Sequence, residues 1–243
     1  MALIRDTIAD VTALDNPVWH ALAGHQDRFA LTVGRARRYD PEVALFCGLP
    51  DEPTPDDWTD LAALLGDAPA TFFAASGPPL PPTWEQAAAF PTVRMVATRT
   101  IGTPDPTIAR LGTTDTGEML DLVARTRPGP FLTRTVELGT YLGLRLDGRL
   151  VAMAGVRMRI PGYSEISAVC TDPEYRNRGL ARRLVCAVAA EIEGRGETPF
   201  LHARSDNSSA IALYESIGFE LRAEFEVVVA RPRGIPAATG LPA

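Results

Sequence analysis

The stretch EISAVCTDPEYRNRGLARRLV (Glu165–Val185) decides how this chain is read. An apolar, strand-like run reaches a turn at Asp172-Pro173, passes four arginines set around Gly179, and becomes a helix. Arg176, Arg178, Arg182 and Arg183 crowd together in a chain whose net charge is −6. The first turn of a helix carries unpaired N–H groups and the positive end of the helix dipole, so it is a natural anion site. A glycine before it lets a ligand approach the backbone, and flanking arginines suit phosphate oxygens. The physical reading is a pyrophosphate cradle at the head of the helix. The competing reading is a solvated, arginine-rich turn.

Elements on either side of this loop are well marked. Asp147-Gly148 is a two-residue hairpin signal and Pro161-Gly162 a second turn, so residues 139–171 read as three antiparallel strands. Ala181, Leu184, Val185, Val188 and Ile192 fall on one face of a helix over 179–193, which Gly194 or Gly196 stops. PFLHA (199–203) reads as a short buried strand. Asn207 caps a short helix, and FEVVVA (225–230) is a last strand.

RNRGLA (176–181) fits the pattern Arg/Gln-x-x-Gly-x-Gly/Ala, and DNSSAIALYESIGF (206–219) follows it. Together the two resemble the GNAT superfamily of acetyl-CoA-dependent N-acetyltransferases, and the wording AVCTDPEYRNRGLA resembles its FR47-like branch. The resemblance covers 107–231. It implies a GNAT fold: a mixed, mostly antiparallel, splayed sheet with flanking helices. It also implies a coenzyme site. Val169, Cys170 and Thr171 would pair with the pantetheine arm like an added strand. Backbone N–H groups of Arg176, Asn177, Arg178, Gly179, Leu180 and Ala181, with Arg182 just beyond, would hold the pyrophosphate. Asn207 matches the family asparagine that touches pantetheine, and Tyr214 the tyrosine that faces the coenzyme sulfur.

Acetyl transfer to an amine needs removal of a proton from a group whose ordinary pKa is about 10.4, and a proton for the departing thiolate. Tyr214 is the candidate acid; its competing role is packing of the short helix. Two bases compete. Glu165 stands where histone-type members carry their glutamate, and strand alternation groups it with Ser167, Val169 and Thr171. His202 stands where ribosomal-protein acetyltransferases place a glutamate. Each has a structural alternative, a strand-edge carboxylate or a hydrogen-bonded core histidine. Cys170 allows a covalent acetyl-cysteine route, although a small buried side chain is the plainer reading.

The first half, 1–106, is patterned loosely: helices over VWHALAGHQDRF (18–29) and PDDWTDLAALLG (55–66), and strands over EVALFCGLP (42–50), PATFFAAS (69–76) and TVRMVATR (92–99). It reads as a smaller α/β domain, with a degenerate copy of the GNAT unit as one version and a homodimerisation arm as another. In the first version it walls the acceptor site, with Trp58 or Trp84 in the lining. The third segment, 232–243, rich in Pro, Gly and Ala, reads as a disordered tail.

Composition narrows the function. The acidic balance argues against nucleic acid as a partner. No apolar run approaches the ~20 residues of a membrane span. Three widely spaced cysteines show no metal-like pairing, so no metal is expected, and with no signal-like N-terminus the reading is cytoplasmic. All 24 basic residues are arginine, so the chain has no lysine of its own to acetylate. The expected activity is acetyl transfer from acetyl-CoA to a primary amine, small or on a peptide, by direct attack in a ternary complex. The alternatives are a longer acyl-CoA used on an amino acid, and an acyl-CoA-binding module without catalysis.

Overall fold

Turn chemistry and apolar alternation build the sheet. Asp147 and Gly148 adopt φ of +52° and +78°, the left-handed pair that a tight hairpin requires. They join β7 (Tyr141–Leu146) to β8 (Arg149–Ile160), and the Pro161-Gly162 turn leads into β9 (Tyr163–Thr171). The expected three-stranded antiparallel meander is present. The computed structural model describes residues 13–73 and 80–234.

The other strands are β1 (Ala30–Val33), β2 (Ala36–Tyr39), β3 (Cys47–Gly48), β4 (Ala70–Phe73), β5 (Trp84–Ala97), β6 (Ala109–Leu111), β10 (Thr198–Arg204) and β11 (Phe219–Pro232). The main sheet runs β4-β11-β5-β10-β9-β8-β7-β6. Its one parallel pairing among the described residues is β10 with β9; the rest are antiparallel. This is the mixed, mostly antiparallel sheet expected from the sequence. The strands β1-β2-β3 form a separate small sheet. A single bridge from Phe46 to Thr71 brings Phe46 alongside β4.

Among the described residues five α-helices flank these sheets: α1 (Pro17–Ala23), α2 (Pro55–Leu65), α3 (Thr116–Thr126), α4 (Leu180–Glu193) and α5 (Ser208–Ile217). The apolar stripe of α4, including Leu184, Val188 and Ile192, packs on Val156, Ile166 and Leu201 of the main sheet. On the opposite face, α1 packs with Phe46, Met158, Ile160 and Phe200, and α3 with Met153, Tyr141 and Cys170.

Strand β5 precedes residue 106 but lies between β10 and β11, antiparallel to both. The boundary expected at 106/107 therefore cuts through this sheet. The strand expected over 42–50 shrinks to Cys47–Gly48. Of the expected disordered tail 232–243, Pro232 closes β11 and the Arg233 N–H donates to the Thr83 carbonyl at 2.8 Å, while 235–243 lie outside the described residues. The strand expected over 69–76 is seen as β4; 74–76 also lie outside them.

Candidate acyl-transfer site

Pairing between β9 and β10 begins at Tyr163↔Thr198 and ends at Ile166↔Leu201. Beyond that point the two strands follow different partners. β9 stays with β8 as far as Thr171↔Ala152, and β10 stays with β5 as far as Arg204↔Thr92. A fork opens between them, its β9 side formed by Ser167, Ala168 and Val169, all half-buried.

A bulge shapes that side. The β8–β9 register passes from Gly155↔Ser167 to Met153↔Cys170, which leaves one extra residue in β9. Ala168 adopts φ of +53°, a left-handed conformation unusual for alanine. The extra residue breaks the alternation expected for β9. Val169 packs with Ile166 on the α4 side, while Cys170 lies with Tyr141 and α3 on the other. Glu165 does not share a face with Val169, contrary to simple alternation.

The basic loop leads from the end of β9 to α4. Asn177 (φ +60°) and Gly179 (φ +74°) are both left-handed, and Gly179 caps α4. A side chain added at Gly179 would meet nothing within 4 Å, so the approach to the helix head is open. The first turn contains no acidic residue. Arg176 and Arg178 are exposed; each reaches a carbonyl, Thr171 and Glu174, at 3.4 Å, and the Arg178 guanidinium lies 5.1 Å from the centre of the Tyr175 ring. The Thr171 hydroxyl is buried with no hydrogen-bond partner among the described residues. Arg182 turns away and donates to the Ser216 carbonyl at 3.0 Å, tying α4 to the end of α5. Arg183 is held by Asp105 at 2.8 Å. These features suit a diphosphate at Arg176–Ala181, with the Arg182 side chain outside that set.

Asn207 caps α5, its Oδ1 accepting from the Ala210 N–H at 3.2 Å. Tyr214 is buried, and its ring meets Phe219 edge-on at 6.0 Å. Its hydroxyl makes no hydrogen bond among the described residues. Burial pushes its pKa up to about 12, so the phenol keeps its proton at neutral pH. Burial likewise pushes the Cys170 thiol up to about 11, which leaves little thiolate for a covalent route.

The two candidate bases are bonded to each other. His202 Nδ1 lies 2.7 Å from Glu165 Oε1, and both side chains are buried. Arg157, the cross-strand neighbour of Glu165, grips it with two bonds, Nε to Oε2 at 2.9 Å and Nη2 to Oε1 at 2.5 Å. Arg94 Nε donates to His202 Nε2 at 2.9 Å. Because Nε2 accepts, the imidazole proton sits on Nδ1 and points to Glu165. Burial opposes the charge on Glu165, but Arg157 and His202 outweigh it and hold its pKa down at about 2. Burial also lowers His202, to about 4, against the pull of Glu165.

Aromatic rings enclose this network. Phe73, Phe225 and Phe200 lie 4.6, 5.3 and 5.6 Å from the His202 ring, and Arg157 stacks 4.7 Å over Phe46. Gln26 reaches the Arg157 carbonyl at 2.8 Å and accepts from the Tyr39 hydroxyl at 2.6 Å. Sequence reasoning did not single out Arg94 and Arg157. Their signal was an arginine amid apolar strand residues, in TVRMVA and GVRMRI. Trp58 and Trp84 form an aromatic cluster with Phe72 beside α2, away from the fork. No group of side chains that could hold a metal occurs among the described residues, and no helix there is long and apolar enough to cross a membrane.

The family model described as FR47-like protein matches residues 141–228. A solved structure from Novosphingobium aromaticivorans, a putative acetyltransferase from the GNAT family, is 39% identical; the match covers 90% of this chain and 98% of that one, with a TM-score of 0.81. Ribosomal protein bS18-alanine N-acetyltransferase of Salmonella typhimurium is 34% identical over 119 residues, 46% of this chain and 80% of the relative. N-alpha-acetyltransferase RimI of Mycobacterium tuberculosis is 39% identical over 83 residues, 33% of this chain. The match spans about half, 51%, of that relative's length.

Proposed function

This chain belongs to the GNAT superfamily of N-acetyltransferases, and from that premise we propose that it moves an acetyl group from acetyl-CoA to a primary amine by direct attack. The observation that carries this reading is the fork between β9 and β10, which opens beside the acid-free, glycine-capped head of α4. Acetyl-CoA supplies the acyl group as an activated thioester. Backbone N–H groups of Arg176–Ala181 would bind its diphosphate, with Arg176 and Arg178 adding charge. Val169, Cys170 and Thr171 line the unpaired side of β9, where a polar arm can add as a strand. A backbone N–H at Val169 or Cys170 would stabilise negative charge developing on the acyl oxygen. Asn207 would contact the arm from the cap of α5. Tyr214, kept protonated by burial, would return a proton to the thiolate.

The Glu165–His202 pair supports a division of labour. Glu165 is a positioning residue that fixes the imidazole with its proton on Nδ1, and Nε2 is the basic atom of the pair, now covered by Arg94. The N-terminal half walls the acceptor side through Phe46 and Phe73, which pack on Arg157 and His202.

The test has two readouts on the full chain: melting temperature with acetyl-CoA, longer acyl-CoAs and coenzyme A, and thiol release with an amine panel. Stabilisation by acetyl-CoA with amine-dependent thiol release is the expected result. Stabilisation only by a longer acyl-CoA would replace the acetyl donor, and no stabilisation by any of them would overturn the coenzyme site.

A further inference from the structure

Arg94 is fully buried in the middle of β5, yet two of its three nitrogens are without hydrogen-bond partners among the described residues. Its Nε is committed to His202, and its guanidinium lies 4.8 Å from the centre of the Phe225 ring. Nη1 and Nη2 remain. A buried cation with unfilled donors is costly unless something completes its shell. Among the described residues the carboxylate nearest to Nη1 is that of Asp15, whose Oδ1 is 3.7 Å away, too far for a hydrogen bond.

A second guanidinium is brought to the same point. Along β11 the register passes from Leu221↔Met95 to Ala223↔Arg94, so Arg222 is a bulge residue with no partner of its own. Bulges re-aim side chains. Here the re-aimed Arg222 Nη2 lies 3.8 Å from the same Asp15 oxygen, and the neighbouring Leu221 is left 54% exposed. Around this point three guanidiniums (Arg94, Arg157, Arg222) face two carboxylates (Glu165, Asp15) and a histidine already committed on both nitrogens. Among the described residues one positive charge is in excess at this point. Asp15 is 36% exposed, the outermost of the two carboxylates, and is held loosely by both arginines.

We propose that Arg94 and Arg222 form the docking point for a carboxylate carried by the acceptor, with Asp15 giving way to it. The acceptor is then an amine that also bears an acid group. This deepens the N-acetyltransferase reading and rests on it. A carboxylate fits because its two oxygens match the paired N–H groups of a guanidinium, and because a carboxylate already occupies the point. The position is right for an acceptor: Arg94 bonds His202, which sits one residue past the last β9–β10 pair, at the closed end of the fork where the strands part.

Product analogues test this without requiring turnover. N-acetylalanine and N-acetylalaninamide are titrated against the full chain with coenzyme A present, in the wild type, Arg222→Gln and Asp15→Asn. The acid should bind at least about tenfold tighter than the amide, the effect of one charge-assisted pair. Arg222→Gln should shrink that ratio and Asp15→Asn should enlarge it. Arg222 and Asp15 are partly exposed, so both variants should fold. N-acetyl-β-alanine and its amide, run alongside, show whether the acid must be the one next to the amine. Equal binding of acid and amide, binding of neither, or a ratio unmoved by both variants would overturn the proposal. Thiol release is read separately: acid and amide amines acetylated alike would remove this docking point and leave the acetyltransferase reading intact. Absence of acetyl-CoA binding would remove that reading instead.

Discussion

Glu165 and His202, rivals for one role when only the sequence is considered, are two ends of a single 2.7 Å hydrogen bond. The bond gives them different roles, and it makes the simplest mutant of each ambiguous. Glu165 has no exposure to solvent and balances Arg157, whose side chain is only 12% exposed. Glu165→Gln should therefore cost about 3–5 kcal/mol, because it leaves a largely buried guanidinium without its counter-charge. Urea unfolding of the variant checks this. A loss below 1 kcal/mol would mean that Arg157 finds another partner. Activity of the variant is interpretable only beside that measurement.

Acid should weaken the fold through the same pair. His202 has a folded pKa near 4 against about 6.5 unfolded, so below 6.5 the unfolded chain takes up a proton that the folded chain refuses. Glu165, held near 2, acts in the same direction at lower pH: its stabilisation is present above the unfolded value of 4.5 and is lost as pH falls towards 2. Melting temperature should thus fall steadily as pH drops from 6.5 to 4. His202→Gln should flatten that part of the curve. A wild-type curve already flat between 6.5 and 4 would contradict a neutral, buried imidazole.

Tyr214→Phe separates chemistry from packing. The hydroxyl bonds nothing among the described residues, and the ring's contact with Phe219 survives in phenylalanine. Stability should change by less than about 0.5 kcal/mol. Turnover should fall roughly 10²-fold, the lower end of general acid catalysis, with the KM for acetyl-CoA nearly unchanged. Steady-state kinetics decide it, and unaltered kcat would remove Tyr214 from the mechanism.

Gly179→Ala addresses the loop. Its φ of +74° strains any side chain by about 1–2 kcal/mol although space is open around it. The loop should relax away from its nest, and acetyl-CoA should bind roughly tenfold more weakly with little effect on turnover at saturation. Calorimetric titration measures the change. Unchanged affinity would show that the diphosphate is held elsewhere.

A chain cut to residues 107–231 should not fold. It would lose β5, the strand that lies between β10 and β11 and joins them in the sheet. Circular dichroism and a thermal melt of this fragment are sufficient; a cooperative transition would show that the second half is self-sufficient.

The hairpin at Asp147-Gly148, the stripe of α4 and the loop at Gly179 were all legible because each is written locally, in turn residues and periodicity. The fork and its bulge were not. Nothing about Ala168 announces a left-handed backbone, and one extra residue reverses every side chain after it. Arg94 was out of reach for another reason: its meaning comes from pairing with a strand far along the chain, and an arginine between valine and methionine looks like any half-buried strand position. The network around Glu165 is therefore a product of topology, and local pattern names only two of its members.

The placement of β5 also sets an order of events during synthesis. Arg94 and His202 are 108 residues apart, and Glu85 and Arg231 are 146 apart. When β5 leaves the ribosome, both strands that will flank it have yet to be made. Its apolar residues wait for partners until β10 and β11, which ends at Pro232, have emerged. Slow synthesis or early release would leave this strand as the segment most in need of a chaperone.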